Sequence, residues 1–443
     1  MRKVLFDLKN RLHTSAIARF ARELRQNESL SFEELSELNW QRRCTLVSFA
    51  FENIPFYRRK YKEAGFEIGD LKTPSDFSRL PILEKSEIRL HRDELVNPAY
   101  SIDKLSTATT GGSTGIPLQT YLDPGVPMAV ISWRMLNWWG VEPSDPSAYL
   151  YRAVPHGMKK FVQQLLLYPT YRCWLAANQM TENNMRNFVN AMKRHRVRYL
   201  VAYVGAAGIL ADYMEKADTH LSDLRAIWTT SSPLPEHTRL RLEKVFGAPV
   251  YTQYGSCEFY WLAAECREKH GMHIGTDIRH IDIVDSQDGT PCRTGEWGDI
   301  LATDLCNHAF PLIRYRLGDR GRLLSEHCRC GLPFPLMDYV RGRISDNFEL
   351  PSGIRIPGEF MTTLFDKDSE VIEAFQFRQL RSGEIVLRYK AISGREKDAR
   401  IAVERARTNF CTVYPECEKL LSVSEEEINI NDNGKIRFII REQ

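Results

Sequence analysis

The sequence predicts an α/β fold in two unequal parts, and three observations carry that expectation. A chain of 443 residues exceeds what one hydrophobic core organises, so two or three domains are expected. Strand-like and helix-like runs alternate through residues 199–252, which implies a parallel sheet covered by helices. From His273 the pattern turns to strands and then breaks at the polar run Val340-Arg-Gly-Arg-Ile-Ser-Asp346. The predicted boundaries are a large N-terminal domain of several subdomains over 1–340, a hinge over 341–346, and a small α+β C-terminal domain over 347–443.

In chain order, the first 25 residues hold seven Lys/Arg against two acids, with Val4, Leu5, Leu8, Leu12, Ile17 and Phe20 at helical spacing. Such a basic amphipathic helix suits peripheral contact with an anionic membrane, or docking on its own protein. Residues 30–100 read as helices joined by short loops, punctuated by Pro55, Pro74 and Pro81. A glycine-rich loop and a strand over 118–122 precede a helix over 126–139. Strands are then predicted at 199–203, 226–230 and 249–252, with helices over 205–216 and 235–246 between them. In such sheets ligands sit at the carboxyl ends of strands. That placement makes Ser231-Ser232-Pro233 and Gln253-Tyr254-Gly255 candidate site loops. Strands follow at 280–284, 298–303 and 312–316. The last hundred residues predict strands near 385–389 and 436–440 around a helix over 395–409.

Composition narrows the class. The net charge of +3, with 43% hydrophobic and 26% charged residues, gives no bulk attraction for nucleic acid or membrane. There is no apolar run of the roughly 18 residues a membrane span needs, and the N-terminus lacks an apolar signal core. A cytoplasmic protein is the expectation. Ten cysteines in such a compartment argue for buried thiols or metal ligands, and Cys44, Cys173, Cys292 and Cys306 read as core. Cys266, His273, Cys328 and Cys330 differ: four thiolate and imidazole ligands fit a closed tetrahedral structural zinc site, with His270 as a substitute.

The stretch Thr107-Ala-Thr-Thr-Gly-Gly-Ser-Thr-Gly-Ile-Pro117 places three glycines and five hydroxyls in eleven positions. Thr109, Thr110, Gly111, Gly112, Ser113, Thr114 and Gly115 can wrap N–H groups and hydroxyls around a phosphate. The spacing is neither that of a Walker loop nor that of a dinucleotide fingerprint. In order, this loop, Tyr251-Thr-Gln-Tyr-Gly-Ser-Cys-Glu258, Pro311-Leu-Ile-Arg-Tyr-Arg-Leu-Gly-Asp319, Gly342-Arg-Ile-Ser-Asp346 and Asn433-Gly-Lys-Ile-Arg437 resemble the five motifs of adenylate-forming enzymes. Pro311-Leu-Ile-Arg-Tyr-Arg316 and Glu52-Asn-Ile-Pro-Phe-Tyr57 narrow the resemblance to the phenylacetate–CoA ligase-like branch, with its capsular-polysaccharide-associated relatives. It covers residues 40–443.

The resemblance implies a chemistry: a carboxylic acid attacks ATP, releases pyrophosphate and becomes an acyl-adenylate with AMP as leaving group. The glycine loop would hold phosphates, Glu258 would bind Mg²⁺, and Asp319 would accept from the ribose hydroxyls. Tyr254, Gly255 and Ser231–Pro233 would surround the adenine. Lys435 of a mobile C-terminal domain would reach between carboxylate and α-phosphate, and Arg343 would touch the nucleotide from the domain boundary. Read singly, Glu258 could be a solvated helix-start acid, Asp319 a turn acid, Arg343 a surface charge and Lys435 a strand edge. Two departures stand out: Leu118 follows Pro117 where many members have lysine, and Ser345 with Asp346 occupies the pivot. Coenzyme A is the expected acceptor, an amine or carrier protein the alternative, and a non-catalytic nucleotide-binding scaffold the third reading. A homodimer is expected from the resemblance alone.

Overall fold

A computed structural model describes residues 2–13, 15–110, 118–151, 154–155, 157–340, 348–356, 364–365, 368, 371–426, 428 and 439–442. At its centre is an eight-stranded sheet in the order Leu336–Met337, Met272–Ile274, Ala263–Ala264, Val250–Tyr254, Ala226–Thr230, Tyr199–Tyr203, Ser147–Tyr151, Arg172–Ala176. The last five strands run parallel, and the first three extend the sheet antiparallel. Tyr199–Tyr203 is buried at all of its positions, as a strand covered on both faces must be. Helices Glu182–Arg194, Val204–Lys216 and Glu236–Phe246 pack on one face. Helix Met128–Trp138 packs on the other, against Tyr199, Val201 and Trp228.

The strands expected at 199–203 and 226–230, and the helices between and after them, stand where periodicity placed them. The third strand runs on to Tyr254, so Gln253 and Tyr254 belong to a strand end rather than a loop. Strands 263–264, 272–274 and 336–337 were not expected, because two or three residues are too few to show a period of two.

A second layer holds the antiparallel sheet Arg279–Val284, Gly298–Asp304, Tyr315–Gly321 and the hairpin Ser106–Thr110/Leu118–Leu122. One core joins them to helices Phe32–Asn53 and Pro55–Glu63. Pro55 and Pro74 begin helices rather than interrupt them, since the first turn needs no N–H from its first residue. The strand expected over 312–316 starts instead at Tyr315. Preceding it, Arg314 has φ 50° and spends its N–H on Thr303 Oγ1 at 2.9 Å, so the apolar run is an anchored turn. Cys173 is buried as expected, whereas Cys44, Cys292 and Cys306 are only half-buried.

The C-terminal part is a four-stranded sheet, Leu421–Glu425, Ile385–Ala391, Ile372–Gln379, Ile439–Arg441, with helix Glu396–Val413 on it. Its core, including Phe375, Phe377, Leu387, Val403 and Phe410, draws only on residues from Leu350 onward. The Tyr414 hydroxyl donates to the Asn178 carbonyl of the N-terminal part. The expected hinge at 341–346 lies outside the described residues. No helix among the described residues is long and apolar enough to cross a membrane.

Candidate active site

Parallel strands all deliver their carboxyl ends to one side of the sheet, and there the chain departs from ordinary backbone geometry. Ser231, directly after strand Ala226–Thr230, has φ 75°, and Tyr260, after strand Val250–Tyr254, has φ 61°. For residues with a Cβ this left-handed region costs energy and persists where surroundings impose it. Between them Gly255 is obligatory: a Cβ there would lie 2.3 Å from the Tyr260 carbonyl oxygen.

Glu258 follows in the same turn and is 2% exposed. It lies in a turn rather than a helix, so the reading as a solvated helix-start acid does not hold. The Tyr315 hydroxyl donates to its Oε1 at 3.2 Å. Its Oε2 is buried with no hydrogen-bond partner among the described residues. A buried, half-satisfied carboxylate is costly unless something else completes it. A hard cation such as Mg²⁺ fits that vacancy in chemistry and charge.

Asp319 stands on strand Tyr315–Gly321, and its Oδ2 accepts from the Tyr254 hydroxyl at 3.2 Å. Two expected nucleotide residues that lie 65 positions apart, on two different sheets, therefore meet. Burial, then Asp319, holds the Tyr254 phenol well above its usual value. Burial, then Glu258, does the same for Tyr315. Both phenols stay neutral and donate to the two carboxyl groups.

The phosphate-loop residues Gly111 to Gly115 lie outside the described residues, but their hairpin does not. Thr110 pairs with Leu118, the two residues that flank the expected loop in sequence. Asn307 Nδ2 donates to the Tyr121 carbonyl at 2.8 Å, and the Tyr121 and Phe310 rings meet at 5.6 Å. These contacts moor the hairpin to the segment that leads into Pro311 and Asp319. Thr109 is half-buried on the first hairpin strand, and Leu118 is a buried strand residue. Arg343 and Lys435 also lie outside the described residues.

Sequence reasoning singled out neither Tyr315 nor Tyr57. The Tyr57 hydroxyl donates to the Pro311 carbonyl at 2.9 Å and accepts from the Ile313 N–H at 3.1 Å. It thereby closes the turn that sets up the Asp319 strand. The two segments that narrowed the resemblance, Glu52–Tyr57 and Pro311–Arg316, thus touch each other.

The four expected zinc ligands converge. The ligand atoms of Cys266, His273, Cys328 and Cys330 all lie within 4.8 Å of one another. Cys266 and Cys328 sulfurs are 3.5 Å apart, and Cys330 Sγ is 3.3 Å from His273 Nε2. Bond lengths near 2.3 Å around a tetrahedral zinc separate its sulfurs by about 3.8 Å. His273 Nδ1 is 2.9 Å from the Phe334 carbonyl, an outer contact that turns Nε2 toward the metal position. Burial lowers the His273 pKa, keeping the ring neutral, and raises the Cys266 and Cys330 thiols, so thiolate there needs a cation beside it. His270 does not join: its Nε2 sits 2.6 Å from Glu326 at the surface.

No family-level sequence model matches the chain. It is 28% identical over 342 residues to phenylacetate-coenzyme A ligase of Escherichia coli (strain K12), covering 74% of this chain and 75% of that protein. The Thermus thermophilus phenylacetate-coenzyme A ligase is 25% identical over 375 residues, 80% of each chain. Protein CapK of Staphylococcus aureus is 23% identical over 300 residues, 66% of this chain and 64% of that one. Among solved structures, 2-hydroxyisobutyryl-CoA ligase in complex with 2-HIB-AMP and CoA in the thioesterification state superposes with a TM-score of 0.65 at 20% identity, covering 94% and 91% of the two chains. The same enzyme in the postadenylation state gives 0.61 at 18%, covering 94% and 92%. The fold is that of the 2-hydroxyisobutyryl-CoA ligase. In sequence the chain is similar to phenylacetate-coenzyme A ligases and to CapK.

Proposed function

We propose that the chain is an acid–thiol ligase that activates a carboxylic acid with ATP and passes the acyl group to coenzyme A. In the first half-reaction a substrate carboxylate oxygen bonds to the α-phosphorus and pyrophosphate leaves. In the second, the coenzyme A sulfur bonds to the acyl carbon and AMP leaves. The relatives named as CoA ligases support both halves. The observation that carries the reading is the buried Glu258, its Oε2 open, beside a Tyr254–Asp319 pair at the carboxyl ends of the strands.

The roles follow from chemistry. Asp319, already accepting from Tyr254, retains lone pairs for the ribose hydroxyls. Glu258 would hold Mg²⁺, whose positive charge offsets that of the phosphate oxygens. Tyr315 keeps the carboxylate turned into the site. The glycine-rich segment with Gly111, Gly112 and Gly115 would cradle phosphates, and the Ser231–Pro233 turn and Gly255 would flank the base. In this reading Lys435 acts from the C-terminal part and Arg343 from the domain boundary. Rotation about 341–346 would then exchange Lys435 for the segment 353–359. A structural zinc would clip the loop of Cys328 and Cys330 to the segment of Cys266 and His273.

ATP–pyrophosphate exchange across a panel of aryl, fatty and amino acids tests the first half-reaction, and product mass with coenzyme A tests the second. Exchange with at least one acid and a thioester of matching mass are expected. No exchange with any acid would leave a nucleotide-binding scaffold. Exchange followed only by amide formation would reassign the acceptor.

A further inference from the structure

No residue of helix Gly157–Leu167 is fully buried, and only Gln164 and Leu167 are half-buried. Met158, Phe161, Val162, Leu165 and Leu166 are 75%, 67%, 45%, 66% and 67% exposed, and Tyr168 just beyond the helix is 63% exposed. Their spacing is that of a single helical stripe, the pattern by which a helix buries itself against a partner. Scattered exposed apolar side chains need no explanation, but a contiguous stripe does.

The surface continues onto the N-terminal helix Arg2–His13. Lys9 donates from its ammonium to the Leu166 carbonyl and, at 3.0 Å, to the Tyr168 carbonyl. Val4 and Leu8 on that helix are 67% and 51% exposed. The Phe6 ring meets Trp133 at 5.2 Å, and Lys3 pairs with Glu142, so the helix is held against the body of the protein.

The charge of these two helices is one-sided. Helices Arg2–His13 and Gly157–Leu167 together carry six Lys/Arg and one acid, Asp7. Their net charge of +5, within a chain of +3 overall, leaves the remainder at −2. Two copies meeting through this face would oppose like charges across a symmetric interface. An anionic lipid surface instead meets the basic groups with opposite charge and takes the apolar stripe among its acyl chains.

We propose that this face docks peripherally on an anionic membrane, the 157–167 helix lying in the interface and the N-terminal helix supplying the charge. The inference does not depend on the catalytic reading, because none of these residues lies in the nucleotide site.

Flotation of the full-length protein with phosphatidylglycerol–phosphatidylcholine vesicles, and with phosphatidylcholine vesicles alone, tests it. Binding is expected only with the anionic vesicles, and it should weaken as salt rises. The double variant Phe161→Glu/Leu165→Glu should bind at least tenfold more weakly while its unfolding midpoint stays unchanged, since both side chains are exposed. Lys159→Glu should also weaken binding, more at low salt than at high. Three results would overturn the proposal: no flotation with either vesicle, equal binding to both, or wild-type dimerisation that the double variant abolishes in the absence of vesicle binding.

Discussion

At the scale of single residues, the carboxylates and the strained backbone positions mark the site more clearly than any pocket shape. Glu258, Asp319 and Tyr254 were legible because they stand inside short ordered motifs, each of a residue type that its chemistry needs. Tyr315 lay within such a motif but was not legible as a partner, because a tyrosine in an apolar run reads as core. Tyr57 is a sharper case. Its two bonds span the chain to Pro311 and Ile313, and nothing local in a sequence announces a contact of that range. Lys435 is the residue whose role can be separated by half-reaction. Removal of one preorganised charge-stabilising donor typically costs about 3–4 kcal/mol in the barrier. Lys435→Ala should therefore slow pyrophosphate exchange by at least about a hundredfold, while thioester formation from a supplied acyl-adenylate continues. Quenched-flow measurement of the two halves checks this, and equal slowing would argue against alternation of the C-terminal part.

At the scale of elements, long periodic segments were legible and short or irregular ones were not. Helices 204–216 and 236–246 and the strands beside them follow directly from hydrophobic spacing. The run 312–316 misled because β-branched and aromatic residues there anchor a turn, with hydrogen bonds going to Tyr57, Thr303 and Leu83. The antiparallel strap of strands 263–264, 272–274 and 336–337 is held by its surroundings rather than its own propensity. Its ligand cluster is the most visible of these surroundings, and cysteine spacing did reveal it. Purified protein should contain about one zinc per chain by elemental analysis, as a Cys₃His site demands. Chelation, or Cys328→Ser, should raise amide exchange around 266–273 and 328–330 and leave the 372–441 sheet unaffected. Uniform exchange increases across both parts would assign the metal a global role instead.

At the scale of the whole molecule, buried ion pairs tie distant segments together. Arg134 Nη1 and Nη2 reach Asp277 at 2.8 and 2.7 Å, and Arg134 also donates to the Leu24 carbonyl at 2.6 Å. Burial alone would raise the Asp277 carboxyl, but Arg134 and Asn27 hold it below the ordinary range. A depressed carboxylate lends stability that is complete above the unfolded value of about 3.9 and is lost as pH falls through the folded value. The unfolding midpoint should therefore be steady near neutrality and drop as pH falls below about 4. Arg134→Leu should cost about 3–5 kcal/mol at neutral pH, because it strands a buried charge. That cost should shrink on acidification as Asp277 takes up a proton, and thermal melts across pH check both signs. The expectation of two parts was legible in the polar break at 340–346, whose expected hinge residues lie outside the described residues. How the parts meet was not, because the Tyr414–Asn178 contact joins surfaces that carry no pattern of their own.

The strap has one more consequence. The chain leaves the large part through Leu336–Met337, and immediately afterwards the Tyr339 hydroxyl bonds the buried Glu265 and the Lys269 carbonyl. Glu265 is itself gripped by Arg239 through two bonds of 3.0 and 2.7 Å. A swinging door needs a post that does not turn with it, and this knot of side chains stands where the post belongs. In the proposed alternation, torque from the tail would be stopped there, before it could disturb the floor of the candidate site.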